Sequence, residues 1–518
     1  MTPNEPLDPI PSDPVAHRDG QHRNRHLIAT VLLGAVPFLL LAAWHFPYPP
    51  PADYGDWAQY LLHADALLAG RRYGDIGYIF TRFAPYISPP VQPPGLPVAL
   101  VPLLALTNAA RDSALYKVFM ILCVLAFLAA AGAYLARYGS RPLVLAALAL
   151  TGLWVETGYA TTAVQPDVIF AALVWLMILI VDRPGEWTWG RVALITTLGL
   201  VALSFRVAGL PLLPAVALYA LVHRRAVGKL AVAPVLVWCL CGAAAVAVSP
   251  SSITYAGLVP RDPAAIAHTV IENLRLYPFL ALNLFLYPFP WHWWGNDVYH
   301  LLICGFAVLG AIRWLPRLRT SFFLVFAACY LGMLFVMPIR HQRYLMPLAP
   351  VALFCASVGI AMFVAWAARL TKHHLSDSRA ASASLGIVAA VVAATVVSEV
   401  TSPRRPAMTD APGAREVFAR LSAARDSGMV RAVFVNPRVL TWQTGVPAMG
   451  FFSAPADTTI AEFRAKRITH VVLGDFHLDP GRYVSMFAAV AAHPHAFRRL
   501  YQAGVFTVYA FDSTQALP

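Results

Sequence analysis

Runs of about 20 residues with almost no charge recur along most of this chain, and that is the length a bilayer-spanning helix requires. The average agrees: across 518 residues the mean hydropathy is +0.61 and only 13% of residues are charged, which excludes an ordinary soluble globular protein. The runs are continuous and do not alternate in polarity over about ten residues, so a transmembrane β-barrel is excluded too. A formal charge of +13 would point to nucleic acid in a soluble protein. Here the excess is spread over short inter-helix loops, where membrane topology calls for it, and no nucleic-acid partner is expected. Cys123, Cys239, Cys241, Cys304, Cys329 and Cys355 all lie in apolar stretches and read as small buried hydrophobes, not as disulfides or metal ligands.

The first span is expected over 27–46, after a disordered cytoplasmic tail of residues 1–26 rich in Pro, Asp, His and Arg. This run lacks a small-residue cleavage site and reads as a retained span, not a signal peptide. Further spans are expected at 115–136, 142–158, 167–182, 191–204, 206–222, 229–248, 297–313, 320–337, 344–369 and 380–400. Residues 56–70 read as a helix lying in the interface, and 93–107 as a short proline-broken segment dipping into the membrane. On this assignment the basic pairs Arg137/Arg141, Arg183/Arg191, Arg313/Arg317 and Arg369/Lys372 fall in or beside cytoplasmic loops. The expected fold is an α-helical polytopic membrane protein with about 11 transmembrane helices, N-terminus inside and C-terminus outside. Its membrane domain covers 27–401 and carries two large outer loops, 47–114 and 249–296. The second runs into Trp291, His292, Trp293 and Trp294, a cluster suited to the headgroup region. Residues 402–518 have soluble composition, with strand-like and helix-like runs that suggest a small C-terminal α/β domain. That domain shows no phosphate loop, metal-ligand spacing or nucleophile motif and is assigned no chemistry. No repeat of 20–50 residues is present.

The stretch "DYGDWAQYLLHADALLAGRRY" (53–73) follows the first span and carries more polar chemistry than a connecting loop needs. On a helix, Trp57, Leu61, Ala64 and Leu68 form an apolar stripe, and Asp56, Gln59, Tyr60 and His63 share the neighbouring face. The stripe suits the lipid boundary, and the polar face suits an aqueous or protein-lined cavity. Asp56 also stands where a helix cap belongs, with Asp53 as the competing cap and carboxylate, while Asp65 falls off the polar face. Glu156 and Asp167 bracket the next outer loop. Asp56, Asp167 and His63 are together a candidate set for a hard divalent cation, although their spacing alone specifies none. Arg340, His341 and Arg343 lie outside, against the positive-inside trend, and a guanidinium cluster there suits a phosphate. Arg206 and Arg82 are weaker candidates for the same role.

Three motifs in order carry a resemblance. The pattern D-x-x-x-Y-x-x-x-A-x-x-L-L-x-G-x-x-Y is met by Asp56, Tyr60, Ala64, Leu67, Leu68, Gly70 and Tyr73. "PPGLP" (93–97) and "RYLMPLAP" (343–350, with Tyr344 beside Arg343) follow it. Together they resemble the polytopic GT-C glycosyltransferases of the bacterial protein-mannosyltransferase and aminoarabinose-transferase type (families 39 and 83) over roughly residues 27–400. The resemblance implies a GT-C fold, a polyprenyl-phosphate sugar donor and inverting transfer on the outer side of the membrane. It makes Asp56 the catalytic base, Asp167 the second outer-loop acid and Arg343 the basic residue near the donor phosphate. Arg340, Arg206, Tyr60 and Tyr344 are the further donor-site candidates.

The chemistry suits these residues, because an acceptor hydroxyl needs a base and a departing phosphate needs charge stabilisation. The sugar and the glycan, lipid or protein acceptor are not specified, and a bacterial inner membrane with a periplasmic C-terminal domain is the expected setting. The alternatives are a multi-span transporter or flippase, which would favour midplane charges and repeats, and a ligase using a diphosphate-linked donor.

Overall fold

The computed structural model describes residues 16–48, 50, 55–84, 89–107, 114–185, 187–223, 259–282, 294–401, 407–474 and 480–514, with scattered positions between 234 and 244. Asp53, the expected span at 229–248 and the Trp291–Trp293 cluster lie wholly or mostly outside these residues. Among the described residues, five helices are long and apolar enough to cross a membrane: Arg25–His45, Ala114–Leu135, His300–Leu318, Ala349–Leu370 and Asp377–Thr401. Shorter apolar helices cover Gly95–Leu106, Arg141–Leu153, Pro166–Val181, Trp189–Phe205, Val207–Val222 and Phe322–Val336.

Several expected spans begin or end at breaks with local causes. The run expected at 142–158 stops at Leu153, because Trp154 adopts an extended backbone (ψ 138°) before a second short helix, Val155–Tyr159. The 206–222 run splits into a 3-10 turn at Val207–Gly209 and a helix at Leu212–Val222, around Pro211. The last-but-one span starts at Ala349, after a 3-10 turn over Gln342–Leu345. At the other extreme, the first helix begins at Ala16, so residues 16–26, expected as tail, continue it; Ala, Arg and Gln propagate a helix readily.

The helix Asp56–Leu68 is not laid on lipid. Trp57, Leu61 and Ala64, the stripe expected to meet the bilayer, are buried, and only Leu68 is well exposed. The helix is instead covered by protein, packed against Gly95–Leu106 below and against Pro437–Thr444 of the C-terminal domain.

That domain is built on a six-stranded sheet, and one strand comes from the segment between the Asp56–Leu68 and Gly95–Leu106 helices. The strands are β1 (Tyr78–Ile79), β2 (Ala432–Val433), β3 (Ala448–Met449), β4 (His470–Gly474), β5 (Phe497–Ala503) and β6 (Phe506–Phe511). They lie in the order β1-β3-β2-β4-β6-β5, parallel from β1 to β4 and antiparallel thereafter. Alternation along the strands gives the sheet two apolar faces. Ala432, Ala448, Val472 and Val508 join a core that runs on into the membrane helices. Val433, Met449, Val471 and Phe511 join a separate core with Phe452, Ile460 and Phe463.

The entry to β1 is tight. Gly77 has φ +74°, a left-handed conformation, and a Cβ there would lie 2.8 Å from Thr441 Cγ2. Gly77→Ala is therefore expected to cost about 1–3 kcal/mol in strain and displacement, loosening β1 from the sheet. Thermal unfolding in detergent should give a lower midpoint for the variant, and limited proteolysis should show earlier release of the C-terminal domain.

Candidate functional site

Asp56 is the first residue of its helix, and Gly55, not Asp56, occupies the cap position without a side-chain capping bond. The carboxylate is otherwise engaged: Arg343 NH1 donates to Oδ2 at 2.6 Å, and Arg438 NH1 donates to Oδ1 at 2.5 Å. Arg343 belongs to the turn before the Ala349–Leu370 helix, and Arg438 to the Pro437–Thr444 helix of the C-terminal domain. Burial would raise the Asp56 pKa, but the charges of Arg343 and Arg438, the Arg343 hydrogen bond and the more distant Arg206 outweigh it. The net result is a carboxyl held far below its usual range.

A second ion pair stands beside the first. Arg206, at the end of Trp189–Phe205, meets Asp167 Oδ1 at 2.6 Å, and both side chains are almost fully buried. Tyr344 links the two pairs, because the guanidiniums of Arg206 and Arg343 lie 5.3 and 5.6 Å from its ring centroid. Its carbonyl also accepts a hydrogen bond from Tyr330. Tyr60 is buried within the field of Asp56, Asp167, Arg206 and Arg343, and burial keeps its hydroxyl protonated. Asp56, Tyr60, Asp167, Arg206, Arg343 and Tyr344 are thus gathered at one end of the helical bundle.

Other candidates are placed elsewhere. Arg340 donates to Asn273 Oδ1 at 2.7 Å and faces Glu272. Arg82 is exposed, over the Phe83 ring. Glu156 is buried 3.5 Å from His341 Nδ1, and burial together with Arg343 lowers the His341 pKa to about 3.

The expected cation set does not form. His63 Nδ1 donates to the Tyr73 carbonyl at 2.8 Å, and Nε2 accepts from the Gln92 backbone N–H at 3.2 Å, so both ring nitrogens are committed. Both Asp56 oxygens hold arginines, and among the described residues no group of three His, Cys, Asp or Glu side chains could ligate a metal. The donor set does not fit a metal ion.

These contacts also explain much of the first motif. Gln92, just before "PPGLP", bonds with Gln59 and Tyr60 through its side chain, His63 through its N–H and Tyr73 through its carbonyl. The polar face beyond Asp56 thus grips a backbone segment and does not line an open cavity. Sequence reasoning missed Arg438 entirely. Its one local signal is a basic residue directly after Asn436-Pro437, where a helix starts and a cation is disfavoured by the dipole.

No protein-family model matches the sequence, and no protein of curated function does. Solved structures do match. ArnT from Cupriavidus metallidurans bound to undecaprenyl phosphate aligns over 94% of this chain and 99% of its own, with a TM-score of 0.51 at 15% identity. Its apo form aligns over 94% and 98% with a TM-score of 0.54 at 14% identity. The chain shares the fold of these structures, as the sequence resemblance implied. The archaeal oligosaccharyltransferase AglB from Archaeoglobus fulgidus, in complex with an inhibitory peptide and a dolichol-phosphate, covers 88% of this chain and 70% of its own, with a TM-score of 0.50 at 11% identity. At these identities the likeness is one of fold.

His63 makes the site acid-sensitive. Burial lowers its pKa from 6.5 to about 4, with the Tyr73 hydrogen bond opposing the shift. Between those values the unfolded chain binds the proton and the folded one does not. Stability from neutral His63 is therefore complete above pH 6.5 and is lost as pH falls towards 4. His63→Gln, which does not titrate, is expected to flatten the decline in unfolding midpoint between pH 7 and 4, measured against wild type.

Proposed function

We propose that this protein is a membrane glycosyltransferase that moves a monosaccharide from a polyprenyl-phosphate sugar to an acceptor hydroxyl. Transfer takes place on the outer face of a bacterial inner membrane, with inversion and with Asp56 as the base; the N-terminus is cytoplasmic and the C-terminal domain periplasmic. The observation that carries this reading is a carboxylate set between guanidiniums, with an apolar groove against the neighbouring Arg206 and Tyr344. The groove holds about 420 Å³ and is lined by Pro93, Leu210, Met333 and Met337, with Arg206 and Tyr344 at its polar side. Such a channel suits a ligand that is apolar along its length and anionic at one end. Undecaprenyl phosphate and dolichol-phosphate, present in the ArnT and AglB structures, are ligands of that kind.

A second cavity, of about 830 Å³, is lined by Trp57 and Leu61 of the Asp56 helix, by Lys117 and Thr162, and by Arg415 and Gln443 of the C-terminal domain. Its mixed lining suits an acceptor that is part apolar and part polar. In the reaction, the acceptor oxygen attacks the anomeric carbon on the face opposite the phosphate. The new C–O bond forms as the carbon–phosphate-oxygen bond breaks, the acceptor proton passes to Asp56, and the electron pair leaves with the phosphate. Arg343 and Arg206 stabilise the departing charge. Asp167 Oδ2 is buried and has no hydrogen-bond partner among the described residues, so it is available to a sugar hydroxyl.

Asp56→Asn is expected to reduce transfer by about 10²–10⁴-fold while the protein remains folded in the membrane. Mass spectrometry of the polyprenyl-phosphate fraction from cells making each protein should show one sugar-loaded species accumulating in the variant. Retained transfer by Asp56→Asn, at equal protein levels, would remove Asp56 from the mechanism.

A further inference from the structure

A carboxylate with a guanidinium on each oxygen is a poor base, since the two cations stabilise its ionised form and lower its affinity for the acceptor proton. The groups facing Asp56 come from every element around it. Arg343, His341 and Arg206 come from the membrane region, Tyr60 from its own helix, Tyr78 from β1, and Arg438 from the C-terminal domain. Of these, Arg438 is the least expected. It lies in the first turn of an eight-residue helix, where the positive end of the dipole opposes a cation, and it is only 7% exposed. The backbone is shaped to admit it: a Cβ on Gly55 would fall 2.3 Å from Asn436 Oδ1 and 2.9 Å from Arg438 NH2. A tie between two domains could be made more cheaply on the surface. A buried arginine at a disfavoured position, aimed at the reacting carboxylate, fits a group with an anion to receive.

We propose that Arg438, with Arg343, is held by Asp56 only until the donor arrives, and that it then passes to the donor's phosphate. The C-terminal domain thereby completes the donor site, and the carboxylate is released to act as base only when a donor is in place. This inference rests on the polyprenyl-phosphate reading above. Its physical basis is competition for the same two forks. The free oxygens of a phosphodiester accept guanidinium hydrogen bonds as a carboxylate does, and the incoming anion and Asp56 repel each other unless the arginines are redistributed.

The test is a thermodynamic cycle on the full-length protein in nanodiscs, with undecaprenyl phosphate as the probe and thermal unfolding as the check on folding. Wild type, Asp56→Asn, Arg438→Gln and the double variant are compared. Competition predicts that Asp56→Asn binds the probe about tenfold tighter although it no longer transfers, because both guanidiniums are freed. Arg438→Gln should bind about tenfold more weakly, and its loss should be larger in the Asp56→Asn background. The acid limb of its residual kcat/KM profile should move to higher pH, since Asp56 loses a neighbouring positive charge.

A purely architectural Arg438 makes different predictions: both single variants weaken binding alike and the acid limb stays in place, which overturns the proposal. Wild-type affinity in a folded Arg438→Gln also overturns it, and leaves the donor reading intact. Failure of the wild type itself to bind the probe overturns both. Should Arg438→Gln fail to fold, Arg438→Lys takes its place: it keeps the charge and loses the planar fork, so weaker probe binding is expected and unchanged binding counts against the proposal.

Discussion

The carboxylate of Asp56 is shared between two guanidiniums that reach it from different parts of the protein, one from a turn between membrane helices and one from the C-terminal domain. Charges this sheltered are costly to take out of water, and the cost is offset only when the hydrogen bonds are well made on both sides. Here each carboxylate oxygen has its own guanidinium, and the Tyr344 ring lies against Arg343 on one side and Arg206 on the other. Because Arg206 is itself paired with Asp167, five charged groups and one aromatic ring form a continuous chain through the site. Moving one member shifts the electrostatic balance of the rest.

The surrounding fold supplies the closeness this chain of charges requires. Gly55 lets Asn436 and Arg438 come up against the start of the Asp56 helix. β1 holds the following loop in the C-terminal sheet, and Gln92 gathers Gln59, Tyr60, His63 and Tyr73 into one polar knot beneath it. One face of the sheet shares its apolar core with the membrane helices, so the C-terminal domain is packed onto the bundle as well as tied to it by charge.

Most of this architecture was legible in the sequence where the signal is local. Apolar runs mark the helices, and residues such as Trp154 and Pro211 shift their ends by mechanisms that act within a turn or two. Motif order and topology were enough to bring Asp56, Tyr60, Asp167, Arg343 and Tyr344 to one place. What could not be read is what depends on distant pairing. The two residues of β1 carry no strand pattern of their own and become a strand only against β3. Arg438 looks like any solvated charge until Asp56, 382 residues away, is set beside it. The polar face of the Asp56 helix suggested an open cavity and a metal ligand, because a list of polar residues does not disclose that backbone groups of Gln92 and Tyr73 will satisfy His63.

The pairing of β1 with β3 also fixes an order of events in the making of the protein. Tyr78 and Ile79 emerge early, yet their partners Ala448 and Met449 are made only after the last membrane helix, Asp377–Thr401, has been synthesised. Closing so long a loop is slow and entropically costly, so the strand and the helix it steadies wait unpaired through most of biogenesis. Arg438 arrives in the same late step. A ribosome-bound or truncated chain can therefore insert its helices while Asp56 still lacks one of its two arginines, and the charged cluster is complete only when the C-terminal domain has folded back onto the Asp56 helix.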